Sequence, residues 1–434
     1  MKWLLNILYA TALLLLSPVI LWRMLRHGRY RAGWREKLLG QLSVPDDTRP
    51  RIWFHAVSVG EVVQLEKVVR AFQTATNDQF SILVTTSTDT GHQLACERLS
   101  DVCVTWLPLD FSWAVSRAVT RVQPEMLVLM ELELWPNLLT ECGRQNTPTA
   151  VVNARMSDRS FRGYRKLSFL RSVFAGISVV AAQSEQYANR LRLLGVPSEN
   201  VTISGSIKFD GLMSDRQNGA TNQLRDLFGI NKNETVLIAG STQAPEEQMA
   251  VHAWQSACSH SDHIRLIIVP RHRERFEQVA SDLRAAGCRV TSRSEIQTTN
   301  PPEADEIIIL DTIGELAACW GLADVAFVGG SFGPRNGQNM LEPAAYGAAI
   351  VVGPRTSNFR DIVSLLKDAD AIVQVANEAE FQSSIINLLT APESRSQKGQ
   401  RAASVVAAQK HALSSTIDLL TAELSSDKMS CRAA

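Results

Sequence analysis

The chain has 434 residues, enough for two or three domains at roughly 150 residues each. Its 44 Lys and Arg balance 44 Asp and Glu, and zero net charge argues against a general nucleic-acid binder, which needs a basic surplus. The 45% hydrophobic and 20% charged fractions, with 24 Gly and 16 Pro, exclude disordered, collagen-like and low-complexity chains. The chain opens on an uncharged run, WLLNILYATALLLLSPVIL (3–21), which as a helix spans roughly 28 Å against a ~30 Å hydrocarbon core. Arg23, Arg26, Arg29, Arg31, Arg35 and Lys37 follow at once, without the small-residue site at which a signal peptide is cleaved. Residues 1–37 are therefore expected to form a retained membrane anchor, spanning or lying in the interface, with the rest of the chain on the cytoplasmic side.

From residue 51, short apolar runs alternate with amphipathic stretches, the pattern of βα units around a parallel sheet. Candidate strands in the first half lie at 52–57, 81–86, 104–109, 126–130, 149–153, 178–182 and 201–204. Residues 207–234 lose the pattern and collect Ser, Asp, Gln, Asn and Gly, which suggests a linker between a first Rossmann-like domain (38–206) and a second (235–390). Strands restart at 235–240, 264–270, 306–310, 324–330, 348–353 and 370–375, and 391–434 reads as a C-terminal helix and tail. Two doubly wound halves imply an interdomain cleft, with chemistry in the loops that follow the strands.

Glu61 in SVGE (58–61) falls at a helix N-terminus, where it suits either a general base or a capping carboxylate. MLVLM runs into Glu131 and Glu133, which would point to opposite faces if the strand continued, so only Glu131 is expected at the site. Lys208 in GSIKFD suits either a surface lysine or a group that stabilises negative charge on a leaving phosphate, and Arg155, Arg159, Arg162, Arg165 and Lys166 form a basic cluster that suits either a solvated helix face or acceptor phosphates. In the second half, Gly240-Ser241-Thr242 precedes a helix whose N–H groups suit a phosphate. Arg271 follows Pro270, and the loop 329–347 carries Gly329, Gly330, Gly333 and Gly337, with Glu342 suited to ribose hydroxyls. No GxGxxG follows the first strand, so a dinucleotide cofactor is disfavoured; the DAD at 368–370 lies far from the glycine-rich loops and no metal is expected there. The seven cysteines, odd in number and without a CxxC pair, exclude a zinc knuckle and point to a reducing compartment.

Taken together, HAVSVGE (55–61), ELELWPNLL (131–139), NARMSDRS (153–160), AAQSEQ (181–186), GSIKFD (205–210), GST (240–242), VPRHRERF (269–276), DTIGEL (311–316), FVGGS (327–331), NMLEPAA (339–345) and GPRTSNF (353–359) are carried in order. In these motifs the sequence resembles the 3-deoxy-D-manno-octulosonate (Kdo) transferases of lipopolysaccharide assembly, of the α/β GT-B class. The resemblance implies transfer of Kdo from CMP-Kdo to a lipid A precursor at the inner membrane, without a cofactor or metal. It implies Glu61 as proton acceptor and Glu131 and Lys208 as transition-state groups. CMP contacts would fall on Gly240, Ser241, Thr242, Pro270, Arg271, Ile313, Gly314, Glu315, Asn339, Met340, Leu341 and Glu342. Gln243, Gln338 and Arg355 stand where the family usually has His, and Met340 where it has Pro; these departures bear on donor fine-specificity and acceptor choice. A same-fold enzyme using a UDP-sugar and a non-catalytic membrane-attached binder are the alternatives.

Overall fold

A computed structural model describes residues 2–27, 32–44, 46–261, 263–297 and 300–432. The expected basic residues Arg29 and Arg31 lie outside the described residues, as does the side chain of Arg23.

The chain divides into two compact units, residues 1–210 with 410–434, and residues 211–409. The first holds β1 (Arg51–Ala56), β2 (Ser81–Thr86), β3 (Cys103–Trp106), β4 (Pro124–Met130), β5 (Thr149–Ala154), β6 (Val179–Ala182) and β7 (Val201–Ile203). All pair in parallel, in the order β3-β2-β1-β4-β5-β6-β7. The second holds β8 (Thr235–Thr242), β9 (Ile264–Pro270), β10 (Val290–Ser292), β11 (Ile307–Ile309), β12 (Val325–Val328), β13 (Ala349–Val352) and β14 (Ile372–Gln374), also parallel, ordered β10-β11-β9-β8-β12-β13-β14. The central strands are buried on both faces, as continuous apolar runs in a helix-covered parallel sheet require. In each sheet the order reverses once, between β1 and β4 and between β8 and β12, and the loops after such a switch point are where an open α/β sheet binds ligands.

Three sequence expectations need correction. The stretch 207–234 is not a free linker: residues Ile207–Phe209 form a 3₁₀ turn of the first unit, and Gly219–Leu227 form a helix of the second. Its polar residues are structural, with Asn218 Oδ1 capping Thr221 N (2.9 Å) and Thr221 Oγ1 bonding Ala318 O (2.8 Å). The C-terminal segment is also split. Helix Pro392–Ala408 packs on the second unit beside β13, whereas helix Ala412–Arg432 returns to the first and packs on helix Val59–Ala75.

The third concerns the anchor. Residues Lys2–His27 form one helix, yet among the described residues no helix is long and apolar enough to cross a membrane, so the spanning form is not supported. Its polar residues dock it on the first unit instead. Asn6 donates to Ser112 Oγ (2.7 Å) and accepts from Ser112 N (3.0 Å), and the Tyr9 hydroxyl donates to Asp110 (3.1 Å). These bonds satisfy groups that a hydrocarbon core could not.

Candidate active site

In the first unit the site is built at the C-terminal ends of β1, β4, β5 and β7. After β1 the chain turns at Ser58, the N-cap of helix Val59–Ala75. Ser58 Oγ donates to Glu61 Oε1 (2.8 Å) and accepts from Glu61 N (3.4 Å), while Val57 N donates to Glu61 Oε2 (2.9 Å). This is a capping box displaced by one residue, since the carboxylate reaches Val57 N rather than the N-cap amide. Glu61 is thus buried and capping, the bland alternative read from sequence. Each oxygen nevertheless takes only one of these donors, which leaves lone pairs for a further proton donor.

Strand β4 stops at Met130, and Glu131 takes a left-handed backbone (φ 54°), costly for a residue with a β-carbon. The twist changes the expectation for the pair. Rather than facing away, Glu133 comes within electrostatic range of both Glu61 and Glu131. Burial first, then the charges of Glu61 and Glu131, raise the Glu133 carboxyl to about 7. The Glu131 carboxyl is also raised by burial, opposed by Arg155 and Lys208 and reinforced by Glu61. Arg155 Nε lies 3.7 Å from Glu131 Oε2. Glu61, Glu131 and Lys208, chosen from sequence, therefore share one electrostatic neighbourhood, with Glu133 added to it.

Asn153 holds this neighbourhood together. It is fully buried at the end of β5, again left-handed (φ 53°); its Nδ2 donates to Gln64 Oε1 (2.6 Å) and its Oδ1 accepts from Ile207 N (3.2 Å). The residue after Ile207 is Lys208, so one asparagine joins the Glu61 helix to the turn carrying the lysine. Gln183 Nε2 closes the bracket on Asn153 O (2.8 Å). Asp210, two residues beyond the lysine, accepts from His411 N and Leu413 N (both 3.0 Å) and so caps helix Ala412–Arg432. The WPNLL stretch is structural: Pro136 opens a helix whose Asn137 and Leu138 amides donate to Asp110 (3.0 and 2.9 Å). Of the basic cluster, Arg159, Arg162 and Arg165 stand on helix Asp158–Arg165, which has no buried residue, while Arg155 precedes it beside Glu131 and Lys166 follows as its C-cap.

In the second unit the two loops at the switch point are joined by Glu246, in the first turn of helix Glu246–Cys258. Glu246 is fully buried and accepts from Gln243 N (2.8 Å), Gly330 N (2.7 Å), Ser331 N (2.9 Å) and Phe332 N (3.0 Å). Burial raises its carboxyl, and these four amides oppose the rise. Gly240, Ser241 and Thr242 lie inside β8 rather than in a phosphate loop, and Glu246 already takes the nearest amides. Gly240 is required for packing, since a β-carbon there would sit 2.4 Å from Trp320 Cζ2.

Pro270 closes β9, and Arg271 N donates to Thr242 O (3.0 Å). His272 Nε2 meets Arg335 Nη2 (2.9 Å), tying the PRH turn to the glycine-rich loop. Ile313 is 76% exposed beside left-handed Gly314, and Glu315 pairs with Arg293 (2.8 Å). Asn339 donates to Glu342 Oε1 (3.1 Å), and burial raises the Glu342 carboxyl. Met340 and Leu341 are core residues, 0% and 2% exposed, and Leu341 N is taken by Asn339 Oδ1 (3.1 Å). Asp370 of the DAD stretch is engaged by Lys398 (2.9 Å) and by Arg401.

The sequence model described as 3-Deoxy-D-manno-octulosonic-acid transferase (kdotransferase) matches residues 29–211. The chain is 33% identical over 421 residues to the 3-deoxy-D-manno-octulosonic acid transferase of Haemophilus influenzae, covering 95% of this chain and 97% of that one. It is 32% identical over 430 residues to the protein of the same name from Bordetella pertussis, covering 95% and 98%. Among solved structures, UDP-GlcNAc 2-epimerase from Neisseria meningitidis bound to UDP-GlcNAc superposes with a TM-score of 0.56 at 12% identity, over 86% of this chain and 99% of that one. That last likeness is one of fold alone.

Proposed function

Because the chain belongs to the 3-deoxy-D-manno-octulosonic-acid transferase family, and so is a glycosyltransferase that transfers Kdo, we propose that it moves Kdo from CMP-Kdo to a sugar hydroxyl of a lipid A precursor, with inversion. Glu61 takes the hydroxyl proton as the oxygen attacks the anomeric carbon from the face opposite CMP. The observation that carries this reading is the Glu61 carboxylate, fixed by Val57 N and Ser58 Oγ at the switch point of its sheet, with acceptor capacity left over. A positioned base is worth about 10² to 10⁴ in rate. Lys208 and Arg155 offset the charge of Glu131 and favour the negative charge that develops as CMP departs. In the second unit, Arg271, the exposed Ile313-Gly314 turn, and Asn339 with Glu342 hold the cytidylate. The arginines of helix Asp158–Arg165 suit acceptor phosphates.

Attachment to the cytoplasmic face of the inner membrane belongs to the same reading. Helix Lys2–His27 exposes Trp3, Ile7, Leu8, Leu14, Leu15 and Leu25, an apolar surface suited to lie in a bilayer interface. The decisive test is Glu61→Gln, assayed for Kdo transfer from CMP-Kdo in detergent. Glutamine keeps a side-chain acceptor for the helix cap but cannot take the proton. Turnover should fall by about 10² or more with the fold intact; near wild-type turnover would remove Glu61 as the base.

A further inference from the structure

An open cavity of about 910 Å³ lies on the first unit, between helix Trp34–Leu39, the chain that follows it, and helix Ser112–Val122. Arg35, Arg117 and Arg121 line it against one carboxylate, Glu36. None of the three arginines makes an ion pair among the described residues. Arg117 Nη1 donates to Leu39 O (3.0 Å) and Arg121 Nε to Leu42 O (2.6 Å), which fixes both guanidinium groups at the cavity wall and leaves their other N–H groups uncommitted by these bonds. Residues 117 and 121 lie one helical turn apart, a like-charge spacing that by itself destabilises a helix slightly. Thr120 adds a hydroxyl to the lining, while that of Ser116 is already given to Glu141 Oε1 (3.1 Å). The remaining guanidinium N–H groups and the Thr120 hydroxyl are donors for a doubly coordinated oxyanion, the geometry in which guanidinium groups bind phosphate.

The neighbouring surface indicates which phosphate. Trp113, 47% exposed at the cavity rim, stacks on Phe111 (4.5 Å between rings, 17° between planes) and donates Nε1 to Leu38 O. Phe111 in turn meets Tyr9 edge-on (6.2 Å), on the helix whose apolar residues are exposed. An unbroken aromatic path thus leads from an apolar helix surface to a cationic cavity, and tryptophan at such a boundary suits the headgroup level of a bilayer.

We propose that this cavity binds the phosphodiester headgroup of an anionic glycerophospholipid, adding lipid selectivity to the interfacial attachment by helix Lys2–His27 on which the proposal rests. The test uses the full chain and vesicles of phosphatidylcholine, with and without phosphatidylglycerol, at one ionic strength. Wild type should bind the mixed vesicles more tightly. Arg117→Gln and Arg121→Gln should each reduce that increment about fivefold, roughly 1 kcal/mol per charge. Binding to phosphatidylcholine alone and Kdo transfer in detergent should not change. Arg360→Gln, which removes one charge from an exposed position of the second unit, should leave the increment intact.

Equal loss with Arg360→Gln, or an undiminished increment in the Arg117→Gln/Arg121→Gln double variant, would overturn the cavity. Equal competition by glycerol phosphate at concentrations matched to the lipid would assign it to soluble phosphates and overturn the lipid headgroup. Failure of wild type to bind phosphatidylcholine vesicles would count against helix attachment alone, because the phosphatidylglycerol increment still reads the arginines.

Discussion

Replacing Glu133 by Gln tests whether the three carboxylates act on one another. Folding raises the Glu133 carboxyl from 4.5 to about 7 through burial and the charges of Glu61 and Glu131. Between these two values the unfolded chain has ionised and the folded chain has not, so the unfolded state binds fewer protons and stability falls as pH rises. The penalty is absent below about pH 4.5 and complete above about 7. At 1.36 kcal/mol per unit it amounts to roughly 3 kcal/mol. For a unit of this size each kcal/mol shifts the melting temperature by about 2–4 °C, so the effect is on the order of 6–12 °C. The assay is differential scanning fluorimetry of wild type and Glu133→Gln from about pH 4 to 8.5. The difference in melting temperature should be near zero at about pH 4, open between about 4.5 and 7 with the variant more stable, and then level off. Glu131→Gln removes part of the repulsion and should bring the levelling-off to lower pH with a smaller final difference, the onset near 4.5 unchanged. A wild-type–variant difference that stays flat across the range would refute the coupling, and with it the claim that the left-handed turn at Glu131 gathers these groups.

Three further outcomes are expected. Asn153→Ala strands Ile207 N and Gln64 and forces alanine into a left-handed backbone, costing roughly 2–4 kcal/mol in urea unfolding. Transfer should fall about 10²-fold as Lys208 is misplaced, and Asn153→Gly should recover part of the stability but not the rate. Glu246→Gln puts an amide where four backbone N–H groups converge; the second unit should lose roughly 2–3 kcal/mol by calorimetry, and protection by CMP should weaken. Gly240→Ala drives a methyl into Trp320, and the expected loss of about 1–3 kcal/mol should be partly restored by Trp320→Phe.

The strands were legible because a sheet covered on both faces needs unbroken apolar runs such as MLVLM and IRLIIVP, and those runs stand out from the helices between them. Strand β10 was not legible: three half-polar residues at a sheet edge carry no such signal. Glu61, Glu131 and Lys208 could be picked because each follows a readable strand. Glu133 was set aside on the assumption that β4 continued, and no propensity announces a left-handed glutamate. The role of Glu246 was hidden for another reason. An acid in the first turn of a helix is ordinary, and three of its four amide partners lie 84–86 residues away. The run 207–234 misled because capping residues and linkers share a composition.

The excursion of the chain through residues 211–409 and its return to the first unit make the second unit, topologically, an insertion into the first. A hybrid enzyme assembled by a single crossover near residue 210 would therefore leave behind helix Ala412–Arg432, and with it the partner of Asp210 beside Lys208. Exchange of the donor half between related transferases needs two breakpoints, one at each crossing, so that the recipient keeps both of its own ends.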